Sequence, residues 1–482
     1  MAGIGFELRR LSAKGGFAAP LSSAVHGATI VAGPWLLTVI AMGLLQRLIG
    51  IDTTEAFTLQ SIIIYLFCIS LIATAPVIAA SMRLVSDALY MLRFEDVRAI
   101  YLCTVILCAA SGAAAATLVF GVFFGFEIRN LIPSVFAASL ASLLWPATAF
   151  ASTVRAFRTI TVGFICGLFV AVCATLAAPS WHAGAALEAL AFASGLGLAS
   201  SFVSTAILRT FAFPARDLSS VFRSILRMMV DRCSIVLGAT FAAIAIWIDS
   251  LVVWGSSVGT EVPIGLTTAP SYDSALFVAR LTMLPGLVLY LVSIDTDWFV
   301  AIRRFLTAIN DHRTLRQIED QLVSFRSLTS ICLLRLMVIQ GAATIISLFL
   351  APLYVPLTGL GYMQMSTLRF GLLGAFFHVI FFVASALVVN CGRERSFLVL
   401  QMLFLVLNAG ATALTLALPQ LLLGVGYFAA ATLSAIAALL MLERSLAQLT
   451  YLTFADALED SRRIAPKPLF ALWPRTVAPF AN

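Results

Sequence analysis

Apolar residues in this chain come in long unbroken runs rather than in stripes. Runs of about 18 or more residues can cross a hydrocarbon core of ~30 Å at 1.5 Å per residue. Six such runs lie near Leu21–Leu45, Ala56–Ala80, Ala99–Phe126, Leu131–Thr153, Thr159–Ala178 and Leu187–Leu208. Six more lie near Cys233–Val253, Ser274–Ile294, Leu328–Leu350, Met365–Val389, Phe397–Leu418 and Leu421–Leu442. The pattern predicts an all-α polytopic membrane protein of about twelve transmembrane helices in two six-helix bundles. The expected divisions are an N-terminal half over 1–210, a connector over 211–232, a C-terminal half over 233–442 and a tail over 443–482. The connector is rich in Arg and Ser. In each half the longest loop on its side follows the second run, at Ser81–Arg98 and Asp295–Ser327. That matching predicts parallel repeats related by an axis along the membrane normal.

Stripes appear only between the runs. Ile4, Leu8 and Leu11 recur at helical spacing beside Arg9, Arg10 and Lys14, which predicts a short helix in the membrane interface. Within 295–327, Trp298, Ile302, Phe305 and Ile309 form one stripe, and Leu315, Ile318, Leu322 and Phe325 form another after Asn310-Asp311. These predict two amphipathic helices lying on the inner leaflet or docking a partner through Arg303 and Arg304. Pro34, in Gly33-Pro34-Trp35, and Pro285 fall inside apolar runs and mark expected helix kinks, because proline removes a backbone hydrogen bond.

Composition narrows the function. Hydrophobic residues make up 61% of the 482 and charged residues 11%, against about 25% charged in soluble domains. The net charge of +7 could suggest nucleic acid, but its placement argues for orientation instead. The arginines crowd alternate loops and leave the opposite side with little beyond Arg47 and Arg129. By the positive-inside rule both termini are expected in the cytoplasm. The two lysines, Lys14 and Lys467, precede Gly and Pro, so no phosphate-binding loop can form. His26, His182, His312 and His378 are far apart, the eight cysteines are scattered singly, and neither metal nor cofactor is expected. Gly255-Ser256-Ser257-Val258-Gly259 matches a nucleophile elbow only formally, since it follows a membrane run into a loop. Gly121…Gly125 and Gly163…Gly167 are spaced for close helix packing.

Charge inside the runs is the sharper signal. The first six carry almost none, with Glu188 at an edge, whereas the second six carry Asp249, Arg280, Arg335 and Arg369. Asp249 stands about four residues inside the end of its run, and Arg280 about six inside the start of the next. Counted from one face, their depths nearly match, so an ion pair is expected. Tyr272 and Asp273 precede Arg280 on the same segment and join it as candidate transport-path residues. A charge at a helix centre costs at least ~2.5 kcal/mol, which makes such a pair a functional candidate. The bland alternative is a pair that pins two helices near the interface. Ser194, Ser200, Ser204 and Asn408 could line a path for a hydroxyl-rich cargo or make ordinary interhelical hydrogen bonds.

Several blocks in order along the chain resemble the inner-membrane Pel exopolysaccharide transporter family. They are MAGIGFELRR at the start, AGPWLL over Ala32–Leu37, SLIATAP and RLVSDALY within Ser70–Tyr90, IWID, SYDSALFVARLTMLP and SIDTDWF. The resemblance implies the multidrug/oligosaccharidyl-lipid/polysaccharide exporter fold and movement of polymer across the bacterial inner membrane for a biofilm matrix. It also implies a cytoplasmic glycosyltransferase and membrane partners that include a cyclic-di-GMP receptor. A lipid-linked oligosaccharide flippase or a drug or cation antiporter of the same fold remains an alternative. So do a scaffold for the synthase and a glycan ligase. The ligase is disfavoured because the longest outer loop, Trp254–Asp273, is too short for a catalytic domain.

Overall fold

The computed structural model describes residues 54–151, 157–178, 184–214, 217–354, 361, 364–419 and 422–462. The first expected span, the interfacial N-terminal helix and Pro34 lie outside them. Among the described residues, eleven helices are long and apolar enough to cross a membrane, and they coincide with the remaining eleven predicted runs. The chain is a multi-pass membrane protein.

The first group of helices comprises α1 (Thr54–Tyr90), α2 (Phe94–Ala116), α3 (Ile128–Ser142), α4 (Leu144–Ala151), α5 (Phe157–Ala177) and α6 (Ala185–Thr210). The helices α3 and α4 are one span broken at Leu143. Pro146 has no N–H to give the Ser142 carbonyl, and Leu143 closes a tighter turn onto Leu140. A connector helix, α7 (Leu218–Asp231), leads to α8 (Cys233–Trp254), a hairpin of β1 (Thr260–Glu261) and β2 (Thr267–Thr268), α9 (Pro270–Leu281) and α10 (Leu284–Leu289). A π-helical stretch over Tyr290–Trp298 continues into α11 (Phe299–Asn310). Then come α12 (Leu315–Tyr354), α13 (Gln364–Asn390), α14 (Glu394–Thr415), α15 (Val425–Ala447) and α16 (Leu449–Arg462).

The loop expected at Ser81–Arg98 is largely helical instead, and the two helices expected within Asp295–Ser327 are continuous with their flanking spans. Helix α1 runs through to Tyr90, and α12 begins at Leu315, so each connection shrinks to a few residues. Both turns use the same closure. Arg93 N–H bonds to Ala88 and Leu92 N–H to Leu89, just as Arg313 bonds to Ala308 and His312 to Ile309. Leu92 and His312 sit at φ 56° and 52°. A third copy closes α13, where Arg393 bonds to Val388 and Gly392 to Val389 with Gly392 at φ 80°. This is the left-handed helix stop, which satisfies carbonyls that the ending helix would orphan.

The two stripes within 295–327 therefore do not form helices lying flat on the leaflet. They belong to the end of the π-helical stretch, α11 and the first turns of α12, which lengthen two spans into a helical hairpin. Phe305, Ala308, Ile318, Leu322 and Phe325 are buried, and the Trp298 and Phe325 rings lie 5.1 Å apart. Most of both stripes is buried within the protein, whereas Leu315 stays exposed.

Helices α1 to α6 pack chiefly on one another, and α8 to α15 do likewise. The main contact between the groups is α1 against α8, with α7 laid across α1 and α2. Gly163 and Gly167 meet α6 at Phe202, Ala199 and Gly195, close enough that a Cβ on Gly167 would strike the Gly195 carbonyl at 2.6 Å. Gly125 behaves differently from the packing role expected of it. It lies past the end of its helix at φ 61°, with nothing nearby.

Candidate functional site

Helix α8 is apolar nearly throughout, yet it carries Asp249 fully buried one turn and a half from its end at Trp254. Leaving that carboxylate unpaired in an apolar interior would be prohibitive. The next helix supplies the partner. Arg280 Nη2 donates to Asp249 Oδ2 at 2.6 Å, and Tyr272 Oη donates to the same oxygen at 3.2 Å. Tyr272 and Arg280 are eight residues apart on α9, two turns, so both reach α8 from one face.

Arg280 occupies the last turn of α9, where the helix stops. The break falls at Thr282–Met283, and Pro285 starts α10 in one of its first two positions. Gln340, from the middle of α12, patches the break: its Nε2 donates to the Thr282 carbonyl at 2.8 Å and its Oε1 accepts from Gly286 N–H at 3.1 Å. One side chain satisfies a donor and an acceptor that a membrane interior would otherwise leave unpaired. Gly286 has no room for a Cβ, which would meet Gln340 Oε1 at 2.7 Å and Val379 at 2.8 Å.

Two groups not expected among the path residues, Tyr427 and His378, complete the cluster. The Arg280 guanidinium lies 5.0 Å from the centroid of the Tyr427 ring on α15, a cation–π distance. The Tyr427 hydroxyl lies 2.9 Å from His378 Nδ1 on α13. Gly374 makes this possible, since a Cβ there would meet Tyr427 Cδ1 at 2.5 Å. Linear sequence gives no depth match between these residues and Asp249; the pairing of α13 with α15 brings them in. Only their status as polar groups in apolar runs could have marked them.

Asp273, beside Tyr272, turns to the far end of α8. Its Oδ2 accepts from Trp254 Nε1 at 2.7 Å and from Ala269 N–H at 3.2 Å. Trp254 in turn lies 4.7 Å from the Tyr65 ring on α1. Tyr65 Oη donates to the Thr267 carbonyl at 2.8 Å, and Ser61 Oγ is 3.4 Å from Thr268 Oγ1. The segment from Trp254 to Asp273, expected as a plain loop, is thus a folded plug. Thr260 pairs with Thr268 and Glu261 with Thr267, while Val262, Leu266 and Ala269 are buried. It seals this end of the seam between α1 and α8.

All four expected path residues are thus close together, in two linked parts. Asp249, Arg280 and Tyr272 form a buried ion-pair centre, and Asp273 ties that centre's own helix to the plug. Asp249 Oδ1, Asp273 Oδ1 and Arg280 Nε are buried without a hydrogen-bond partner. The centre holds opposite charges in place inside the apolar bundle. Arg303 and Arg304 lie elsewhere, on the α11 extension, with Arg304 exposed. Asn408 donates to the Ala245 carbonyl on α8 and Ser204 bonds to Tyr101 on α2, so both join helices. Ser194 and Ser200 bond only to their own helix backbone.

The fold is that of MATE transporters. The structure is similar to an outward-facing multidrug resistance MATE family transporter of the MOP superfamily, with TM-score 0.62, 14% identity, and 93% of this chain and 97% of that one covered. It is also similar to the Vibrio cholerae MATE transporter VcmN in its bent form, with TM-score 0.61, 10% identity, and 93% and 98% covered. An inward-facing MATE family transporter aligns with TM-score 0.55 and 14% identity over 88% and 99%. No curated protein sequence matches the chain. Residues 1–454 match the PelG family model, described as "Putative exopolysaccharide Exporter (EPS-E)". With that match over nearly its whole length and a MATE-like fold beneath it, the chain belongs to the PelG family and is a membrane transporter rather than an enzyme.

Proposed function

We propose that this protein moves a Pel-type exopolysaccharide, an amino-sugar polymer, from the cytoplasm to the periplasm across the bacterial inner membrane during secretion of a biofilm matrix. The observation that carries this reading is the family match over residues 1–454. In this reading the two helix groups are the moving halves, the arginine-rich end with both termini faces the cytoplasm, and the plug seals the periplasmic side. Asp249, Arg280, Tyr272 and Asp273 act along the transport path. To open the sealed end, α1 must part from the plug, which breaks the Tyr65–Thr267 bond and the Tyr65–Trp254 contact. Because Trp254 holds Asp273 on the helix that carries Arg280, that parting pulls on the ion pair.

On the cytoplasmic side, the α11–α12 hairpin with Arg303 and Arg304 offers a docking face for a glycosyltransferase, and a cyclic-di-GMP receptor belongs to the same membrane assembly. The experiment is reconstitution of this protein with such a synthase in inside-out membrane vesicles. Polymer should accumulate in the lumen only when both are present. Polymer left wholly outside, or accumulation of a lipid-linked repeat in place of polymer, would refute the reading.

A further inference from the structure

We propose that the connector helix α7 and the flank of α2 form a binding site for one anionic phospholipid. The residues around α7 change character in order. Ile225 is fully buried against Ala80, Cys103 and Val236. Next around the helix come Leu218, Phe222, Leu226 and Val230, spaced by four and 41%, 38%, 44% and 75% exposed. Exposed Arg223 and Arg227 follow, and then exposed Ser220, Ser224 and Asp231. At 100° per residue this is a passage from protein core to lipid, to headgroup, to water, as a helix lying in a membrane interface requires.

A groove of about 420 Å³ with an almost wholly apolar wall opens between this helix and α2, lined by Ile106, Cys103, Leu218, Ser219, Phe222 and the stem of Arg223. Its apolar wall is continuous with the outward surface of the span over Phe94–Phe123, where Ile106 is 60% and Leu118 52% exposed. That continuity favours an acyl chain over a protein partner. The groove is held open by fixed contacts: Arg98 Nη1 donates to the Phe213 carbonyl at 3.1 Å, and Cys103 Sγ to the Leu218 carbonyl at 3.4 Å. Arg223 spends only its Nε on a local bond, to the Ser219 carbonyl at 3.3 Å. A guanidinium fork of this kind pairs with a phosphate, and two neighbouring arginines favour a headgroup with no cation of its own.

The test is native mass spectrometry of the full-length protein released from bilayers of equal phosphatidylglycerol and phosphatidylethanolamine. The wild type should keep phosphatidylglycerol selectively. Arg223→Gln with Arg227→Gln should lower that retention by about fivefold for each arginine lost. Ile106→Trp, which fills the groove without changing charge, should lower retention of both lipids while the melting temperature stays that of wild type. Equal retention of the two lipids by the wild type, or unchanged retention in either variant, would overturn the site.

Discussion

The two helix groups solve the problem of packing in a membrane by different means. Among the described residues of α1 to α6, the buried polar groups are mostly Ser and Thr. Thr104, Ser142, Thr175 and Ser200 each bond to a carbonyl one turn back on their own helix. What chiefly joins these helices is close approach, as where Gly167 and Gly195 meet, helped by a few bonds between short or aromatic polar groups such as Ser204 with Tyr101 and Trp145 with Ser70. In α8 to α15 the joints are long polar side chains that reach across: Arg280 to Asp249, Gln340 to a broken α9–α10, Gln401 to Ser385 and Asn408 to Ala245. A lipid environment gives no hydrophobic drive to either group, so small residues and polar bonds are the available adhesives. The first kind fixes one arrangement. The second can be broken and remade, which suits the group that carries the ion pair.

The contrast is sharpest where the groups meet. A disulfide in Ser61→Cys with Thr268→Cys, built on hydroxyls 3.4 Å apart in the plug, should tie α1 to the second group. Polymer export should stop under oxidation and return on reduction, with protein levels unchanged. Export that continues with the crosslink formed would mean this seam never opens.

The next largest effect lies inside the first group. Gly195→Leu forces a side chain into the Gly167 and Ala171 backbones, which a Cβ alone would already meet at 2.4–2.6 Å. It should prevent accumulation of folded protein, seen as loss of the monodisperse peak in size-exclusion chromatography. A folded variant with normal yield would show that the first group adjusts more freely than close packing allows. Smaller still is Gln340→Leu. It leaves the Thr282 carbonyl and Gly286 N–H without partners, at a cost of about 1–3 kcal/mol each. The protein should still insert, with a lowered melting temperature and reduced export. An unchanged melting temperature would mean that the break in α9–α10 needs no patch.

Much of this was legible in the linear chain because a bilayer imposes a length. Eleven described spans follow the apolar runs, and Asp249 and Arg280 could be paired by depth because consecutive helices share one loop. The rest depended on information that hydropathy does not carry. Leu92 stops a helix in a conformation usually marked by Gly, so the extension of α1 over Ser81–Tyr90 looked like part of a loop. The stripe of Leu315, Ile318, Leu322 and Phe325 correctly indicates a helix, but Ile318, Leu322 and Phe325 are buried within the protein while Leu315 stays exposed. The graded face of α7 was hidden by its arginines and serines, which read as a plain basic connector. Tyr427 and His378 reach the ion pair only through the pairing of α13 with α15, a tertiary fact.

In the proposed function the Asp249–Arg280 pair works along the transport path and is not a mere pin between helices. Breaking a buried pair should destabilise by about 3–5 kcal/mol where the site is dry, so activity must be read at matched levels of folded protein. The direct measurement is polymer export by Asp249→Asn, Arg280→Gln and the exchange Asp249→Arg with Arg280→Asp in one background. The account predicts that each single variant loses export while remaining folded, and that the exchange restores part of it. Normal export from both single variants would contradict it.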